Sequence, residues 1–523
     1  MAKKVFIYDT TLRDGSQTEG ISFSVNDKFK IAQRLDQLGV HYIEGGWPGS
    51  NPKDKEFFKM AKDHAWRHAR IAAFGSTRRA GIKAAQDFNL KELVKSQAPI
   101  ITIFGKTWDL HVTDVIKTTL DENLAMIKDS VAFLKKKKRQ VFYDAEHFFD
   151  GYKANPDYAL QTLSAARDAG AECLILCDTN GGTLPEEVFE IIQAVREHID
   201  TPLGIHCHND LDLAVANSIA AIEAGCVQVQ GTFNGLGERC GNTDLGTVIG
   251  ILETKLEYKS IPSKNVKSLT ETSYFLSEVS NTKLADNHPF VGHSAFAHKG
   301  GVHIDAVLKK PAAYEHIIPE TVGNHRRFLT SELAGKMPIV MKAEQLNVRI
   351  DKKSPEAKKL LKELQIKEHA GYQFEAADAS FELFIKRHLK HYKPFFKLEG
   401  FKVFNEKRFD GKLFAEASIR ISVNGQEKFS AADGDGPVNA LDRALRQALE
   451  EFYPKLNEMH LRDFKVRVLD TKEGTAAKVR VLIESQDGKD SWTTIGVDEN
   501  IIQASWEALT DSIEYKLLKT YKN

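Results

Sequence analysis

An α/β fold organised round a closed (β/α)8 TIM barrel is what three features of the 523-residue sequence predict. From the N-terminus to about Leu256, eight short apolar runs alternate with amphipathic helical stretches, the order that builds a parallel sheet. Several of those stretches stop at glycine (Leu38-Gly39, Ala169-Gly170 and Ala224-Gly225), where a helix takes a left-handed residue just past its last turn. No Gly-x-Gly-x-x-Gly follows the first apolar run, so a doubly wound open sheet has little support.

The strands are expected at Val5–Tyr8, Tyr42–Gly45, Ile71–Phe74, Ile100–Phe104, Val141–Ala145, Cys173–Cys177, Leu203–Ile205 and Val227–Gln230. Helices are expected at Asn26–Leu38, Leu120–Lys136, Asp157–Ala169, Pro185–His198 and Leu211–Ala224. Barrels carry their sites at the carboxyl ends of the strands, and polar residues gather there. Asp9–Gln17 follows the first strand and Glu44–Pro48 the second; Asp144–His147 ends the fifth and Asp178–Gly182 the sixth; Gly235–Asn242 follows the eighth.

The seventh strand ends in Gly204-Ile205-His206-Cys207-His208-Asn209-Asp210. Strand side chains alternate, so His206 and His208 share a face and are a natural pair of metal ligands. Spacing alone is weak evidence, since most such pairs are polar strand ends. Barrel closure strengthens it by setting the eighth strand between the seventh and the first, so that Asp14, His206, His208 and Asn242 can converge. A carboxylate, two imidazoles and an amide oxygen suit Mg²⁺, Mn²⁺ or Zn²⁺.

Lys plus Arg and Asp plus Glu each total 72, so no net charge points to nucleic acid or a membrane surface. The five cysteines cluster in one third of the chain, mostly in apolar runs, which predicts a reduced, cytoplasmic protein. Neither a signal peptide nor a membrane-length apolar run is expected. Cys173 and Cys177 share a strand face but stand too far apart to hold one ion, and are expected in the core.

Beyond the barrel, Ile261–Gly335 is mixed and loop-rich, and Arg349–Lys367 is a charged helical connection around Ser354-Pro355-Glu356. From about Glu382 the chain repeats itself. Strands around Glu416–Val423 and Lys478–Ile483 each precede a helix with similar wording, Ala444-Leu445 and Ala508-Leu509, which predicts an α+β repeat, (βββα)2. The expected division is a catalytic barrel (1–260), a helical linker and lid (261–381) and a C-terminal regulatory unit (382–523).

The motifs Asp9–Gln17, Gly204–Asp210 and Gly237-Glu238-Arg239-Cys240-Gly241-Asn242 resemble signatures of the 2-isopropylmalate/homocitrate/citramalate synthase family. Within it, Glu44–Asp54 is similar to the long-form, citramalate-forming members. The resemblance implies an acyltransferase that condenses acetyl-CoA with pyruvate, hydrolyses the thioester, and is feedback-inhibited by isoleucine as a homodimer. It implies that Asp14, His206 and His208 bind the metal with Asn242 beside it, and that Arg13 steadies the keto oxygen and the enolate. It further implies that Thr179 and Gln17 hold the substrate and that Glu146 abstracts the proton. His303 and Tyr314 would belong to a lid, often supplied by the partner subunit, and pocket residues near Phe74 and Ser76 are expected to set which 2-oxo acid is accepted. Simpler roles stand beside these: a loop ion pair for Arg13 and Asp14, a barrel-mouth salt bridge for Glu146, and a buried structural role for His303. Other whole-chain readings are a 2-isopropylmalate or homocitrate synthase, a retro-Claisen lyase, or a catalytically silent small-molecule sensor.

Overall fold

The computed structural model describes residues 3–256, 258–329, 355–374, 377–388, 392–407, 409, 411–469, 477–488 and 490–521. Its first part is the expected barrel. Strands β1 (Phe6–Asp9), β2 (Tyr42–Glu44), β3 (Arg70–Ser76), β4 (Ile100–Lys106), β5 (Gln140–Glu146), β6 (Cys173–Asp178), β7 (Leu203–Cys207) and β8 (Gln228–Gly231) pair in sequence order. β8 closes in parallel onto β1, from Phe6 opposite Gln228 to Asp9 opposite Gly231.

Helices α1 (Val25–Leu38), α2 (Pro52–Ala61), α3 (Phe88–Lys95), α4 (Leu120–Lys136), α5 (Phe148–Ala154), α6 (Pro156–Asp168), α7 (Pro185–Arg196), α8 (Ala214–Glu223), α9 (Leu245–Thr254) and α10 (Leu269–Val279) accompany the strands. α1 shows how the sequence sets its own limits. Ser24 and Asp27 form a reciprocal capping box at its start. At its end Gly39 takes φ 101° and donates to the carbonyls of Leu35 and Asp36; a Cβ there would stand 2.4 Å from Pro262 Cδ. α2, α3, α5, α9 and α10 are not among the helices named from the sequence; α2, α3 and α5 are short, and their apolar stripes rest on few residues, such as Phe57 and Phe58 in α2. α8 starts at Ala214 rather than Leu211 because Asp212 adopts φ 59°, which an α-helix cannot hold.

Strand alternation divides the barrel side chains. Ile7, Ile43, Ile101, Ile103 and Val141 face outward under the helices, fully buried. Inward, Tyr8, Ala72, Ile100, Phe142, Cys173, Ile175 and Cys177 form an apolar plug. Toward the carboxyl ends the inward positions turn polar, through Glu44, Thr102, Asp144, His206 and Gln230, all buried. The five cysteines are free, and Cys173 and Cys177 lie in the core as expected.

By compactness the chain forms two units, Met1–Phe296 with His316–Arg326, and Ala297–Glu315 with Arg327–Asn523. In the second, β9 (Ala297–His298) pairs with β10 (Arg327–Phe328), and α11 (Gly301–Lys309) follows β9. Of the charged connection, Arg349–Ser354 falls outside the described residues, and α12 (Pro355–His369) accounts for the rest; α13 (Asp378–His388) comes next.

The repeat is two βββα halves, as its wording predicts. β11 (Lys397–Lys407), β12 (Leu413–Val423) and β13 (Gln426–Gly434) precede α14 (Pro437–Glu450); β14 (His460–Val468), β15 (Val479–Gln486) and β16 (Ser491–Asp498) precede α15 (Ile501–Thr520). α14 buries the stripe Ala440, Leu441, Ala444, Leu445, Ala448 and Leu449. Gly434 and Gly496 occupy matching places. A Cβ would come within 2.5 Å of Ala440 N at the first and 2.0 Å of Ala504 O at the second, so glycine lets each helix backbone settle on its strand. Among the described residues no helix is long and apolar enough to cross a membrane.

Candidate active site

The loop after β1 brings Arg13 and Asp14 into the barrel mouth. Arg13 Nη1 pairs with Asp14 Oδ1, and Nε donates to Glu44 Oε1 at 2.5 Å. Its guanidinium also lies 3.7 Å above the Phe74 ring. Glu44 is held from below by the Tyr8 hydroxyl, which donates to Oε2 at 2.7 Å. Burial raises the Glu44 carboxyl despite Arg13. Burial would raise Asp14 too, but the Arg13 guanidinium beside it holds it below the ordinary range.

β7 delivers the two histidines. Their ring centroids are 5.4 Å apart, and His206 Nε2 lies 3.7 Å from Asp14 Oδ2. Burial lowers both imidazoles, His208 to about 3 with help from neighbouring His206, so both are neutral and carry a lone pair at ordinary pH. The loop after β8 supplies Asn242, which bridges His208 through the backbone. That loop folds tightly because Gly241 adopts φ 92°; a Cβ there would meet Gly235 O at 2.0 Å.

This donor set fits a divalent cation. Asp14 Oδ2, His208 Nδ1 and both amide atoms of Asn242 are buried without a hydrogen-bond partner, a costly arrangement unless a ligand completes it. Among the described residues no three His, Cys, Asp or Glu side chains already close round a cation, and Arg13 occupies Asp14 Oδ1 instead.

Glu146 ends β5, and its Oε2 pairs with Lys106 Nζ at the end of β4. Thr179 follows β6; its Oγ1 accepts from His147 N at 2.9 Å, leaving the hydroxyl hydrogen to donate elsewhere. Gln17 sits in the short helical turn Gly15–Gln17. Arg13, Asp14, Gln17, Glu146, Thr179, His206 and His208 all line one hollow of about 240 Å³. Asn242 instead faces a neighbouring hollow of about 890 Å³ between α8 and α9, whose walls include Asp212, Glu223 and Asp244. The smaller hollow gathers the arginine, both imidazoles and the carboxylates of Asp14 and Glu146, which marks it as the site; the larger is walled mostly by apolar and amide side chains, with Asp212, Glu223 and Asp244 among them.

His303 and Tyr314 belong to the second compact unit, where their rings stack with centroids 4.2 Å apart. His303 is exposed rather than buried, and the buried histidine of that segment is His298, 3.1 Å from Glu315 Oε1. The simpler contacts considered for Arg13 and Glu146 do exist, with Asp14 and with Lys106; Arg13, Asp14 and Glu146 nonetheless line the hollow.

Sequence reasoning missed several site residues. Lys106 was signalled by a charge at the end of an apolar strand. Asp144 and Glu44 lay in stretches already singled out. Trp47 and Phe104 join Phe74, near which the sequence reading set the substrate-determining residues, in one wall of the hollow, with ring centroids 5.5–5.8 Å apart.

Three family models cover the chain: HMGL-like over residues 4–276, the homocitrate synthase post-HMGL domain-like model over 290–370, and the LeuA allosteric (dimerisation) domain over 375–517. The chain is 56% identical over 521 residues to an (R)-citramalate synthase of Aquifex aeolicus, covering 99% of each. It is 54% identical to an (R)-citramalate synthase of Geobacter sulfurreducens, covering 99% of this chain and 98% of the relative. To a 2-isopropylmalate synthase of Clostridium kluyveri it is 31% identical, covering 100% of this chain and 98% of the relative.

Proposed function

Because the chain belongs to the HMGL-like family, in its 2-isopropylmalate/homocitrate/citramalate synthase branch, we propose that it joins acetyl-CoA to pyruvate and releases citramalate and CoA. It is an enzyme, an acyltransferase that converts the acyl group into an alkyl group on transfer. The observation that carries the reading is one small hollow holding two neutral imidazoles, a depressed carboxylate with an unpartnered oxygen, an arginine, and Glu146.

A thioester methyl is a weak carbon acid, so a positioned base and a stabilised enolate are required. Glu146 is the base, and the Lys106 ammonium holds its carboxylate in place until the thioester arrives. Arg13 donates to the keto oxygen of the 2-oxo acid, and the Thr179 hydroxyl donates to its carboxylate, with Gln17 beside them. A divalent ion on Asp14, His206, His208 and Asn242 supplies Lewis acidity at the keto carbonyl when bound. The enolate carbon attacks C2 of pyruvate, forming the new C–C bond, and the keto oxygen takes up a proton. Water then adds to the acyl carbon and the C–S bond breaks, releasing CoA. His303 and Tyr314, a stacked and exposed pair, are the lid residues for that stage.

The aromatic wall supports pyruvate as the acceptor. Trp47, Phe74 and Phe104 brace one another edge-on and stacked, and Arg13 rests on Phe74, so the wall cannot retreat easily from a larger side chain. CoA release across a panel of 2-oxo acids tests this. Pyruvate should be used best, and Phe74→Ala should improve 2-oxobutyrate relative to pyruvate by about tenfold or more. Preference of the parent for 2-oxoisovalerate would make the chain a 2-isopropylmalate synthase instead.

The division into barrel (1–260), linker and lid (261–381) and regulatory unit (382–523) belongs to the same proposal, as do a homodimer and inhibition by isoleucine. The match to an allosteric (dimerisation) domain supports these. The two strand–helix junctions of the repeat are unequal as carboxylate sites. Asn500 caps α15 by accepting from Ile502 N and Gln503 N, whereas Gly436 leaves the first amides of α14 without a side-chain cap. The α14 junction, Gly434–Pro437, is therefore the better place for an amino acid's carboxylate.

A further inference from the structure

We propose that Gln230, which no motif marks, is a positioning residue that sets the tautomer of His206 and so readies it to bind the metal. Gln230 is fully buried on β8, beside His206 of β7 in the strand register. Its Oε1 lies 3.0 Å from His206 Nδ1. On its other side, Nε2 donates to Asp144 Oδ1 across the barrel at 3.1 Å.

The chemistry of an amide gives this chain a direction. Its nitrogen only donates and its oxygen only accepts. With Nε2 engaged by the Asp144 oxygen, Oε1 faces His206, and it can bond to that ring nitrogen only if the nitrogen carries a hydrogen. The proton of neutral His206 is therefore on Nδ1. Nε2, the atom 3.7 Å from Asp14 Oδ2, keeps its lone pair toward the centre of the site. A reversed amide would present N–H groups to Nδ1, moving the ring proton to Nε2 and blocking ligation there. Asp144 acts at one remove, by accepting from Nε2 and so favouring this orientation of the amide. His208 has no such partner; its Nδ1 is buried and unpaired. The two imidazoles are thus unequally prepared, and His206 is the one fixed in advance. Partners of this kind, which orient a ligand without touching the ion, typically contribute 10–100-fold to metal affinity.

The inference rests on the proposed metal site, and the test separates the two. Zn²⁺ and Co²⁺ are titrated calorimetrically into the full chain stripped of metal, for the parent, Gln230→Leu, Gln230→Glu and Asp144→Leu. Gln230→Leu should weaken binding about 10–100-fold, with an altered visible absorption of bound Co²⁺. Gln230→Glu retains an acceptor for Nδ1–H and should restore affinity to within a few-fold of the parent. Asp144→Leu frees the amide to reverse and should lose several-fold. Parental affinity in Gln230→Leu overturns the positioning role while leaving the metal site standing. No binding by the parent removes the metal site and this inference with it. Should Gln230→Leu not fold, Asp144→Leu decides: parental affinity there overturns the proposal.

Discussion

The barrel mouth and the C-terminal repeat both bury charge, but they finish the task differently. In the repeat, Asp511 accepts from Ser380 Oγ at 2.6 Å and Arg387 Nη1 at 2.8 Å, and Glu514 accepts from Phe395 N at 3.1 Å. Trp492 Nε1 donates to Ser512 Oγ, which in turn donates to Ser485 Oγ. Among the described residues of that unit, the buried side-chain atoms without partners are hydroxyls, those of Tyr392 and Thr510. At the mouth they include an oxygen of Asp14 and a nitrogen of His208, which line one hollow, and the whole amide of Asn242, whose backbone bridges to His208. An unpaired buried polar group costs about 1–3 kcal/mol, so folding alone does not gather several of them in one place. The repeat spends its polar groups on architecture; the mouth holds them for a ligand.

The sharpest way to break that contrast is Glu146→Gln. If the mouth serves chemistry, the variant should lose about 10²–10⁴-fold in turnover. Exchange of acetyl-CoA methyl protons with solvent should fall in parallel, while pyruvate affinity stays near the parent's. Exchange at the parental rate would leave Glu146 as nothing more than the salt-bridge partner of Lys106.

His208→Ala comes next, with an expected loss on the order of a hundredfold or more in CoA release. Removing an imidazole whose Nδ1 is unpaired breaks no hydrogen bond at that atom, so the metal-free melting midpoint should hold. Full turnover after exhaustive chelation would show that the unpaired atoms are not awaiting a metal.

On the repeat's side, isoleucine should inhibit the full chain by coupling worth about 1–3 kcal/mol, a 5–150-fold change at most. Gly436→Val at the uncapped start of α14 should weaken that inhibition without altering uninhibited turnover. Calorimetry that detects no isoleucine, leucine or valine binding at millimolar concentration would leave dimerisation as the role of the repeat.

The smallest effect concerns pH. Burial lifts the Glu514 carboxyl from 4.5 to about 7, with Arg387 opposing. The folded chain therefore holds a proton that the unfolded chain has already released, and stability falls as pH rises from about 4.5 through 7. Glu514→Gln keeps an oxygen for Phe395 N, so it should be near neutral at pH 5 and stabilising by on the order of 1–3 kcal/mol at pH 8. A chemical-denaturation series across that range reads the difference. A flat profile in the parent would mean that Glu514 ionises freely and that the repeat is less tightly closed than its hydrogen bonds imply.

Much of this protein was determined by the sequence alone. Alternating apolar runs and glycine stops located all eight barrel strands to within a residue or two, because periodicity and helix caps act between near neighbours. The His-x-His pair on one strand face and the doubled wording of the repeat are local signals of the same kind. α2, α3 and α5 were too short to show a period, and the start of α8 was displaced by the left-handed Asp212. What only the tertiary structure decided is which polar residues meet. Gln230 is 24 residues from His206 and 86 from Asp144, Arg13 is 31 from Glu44, and Lys106 is 40 from Glu146. Nothing within the segment of either residue of a pair names the other. Their hydrogen bonds exist because barrel closure carries distant strand ends into one buried, low-dielectric mouth, where a polar atom finds a partner across the barrel or waits for a ligand.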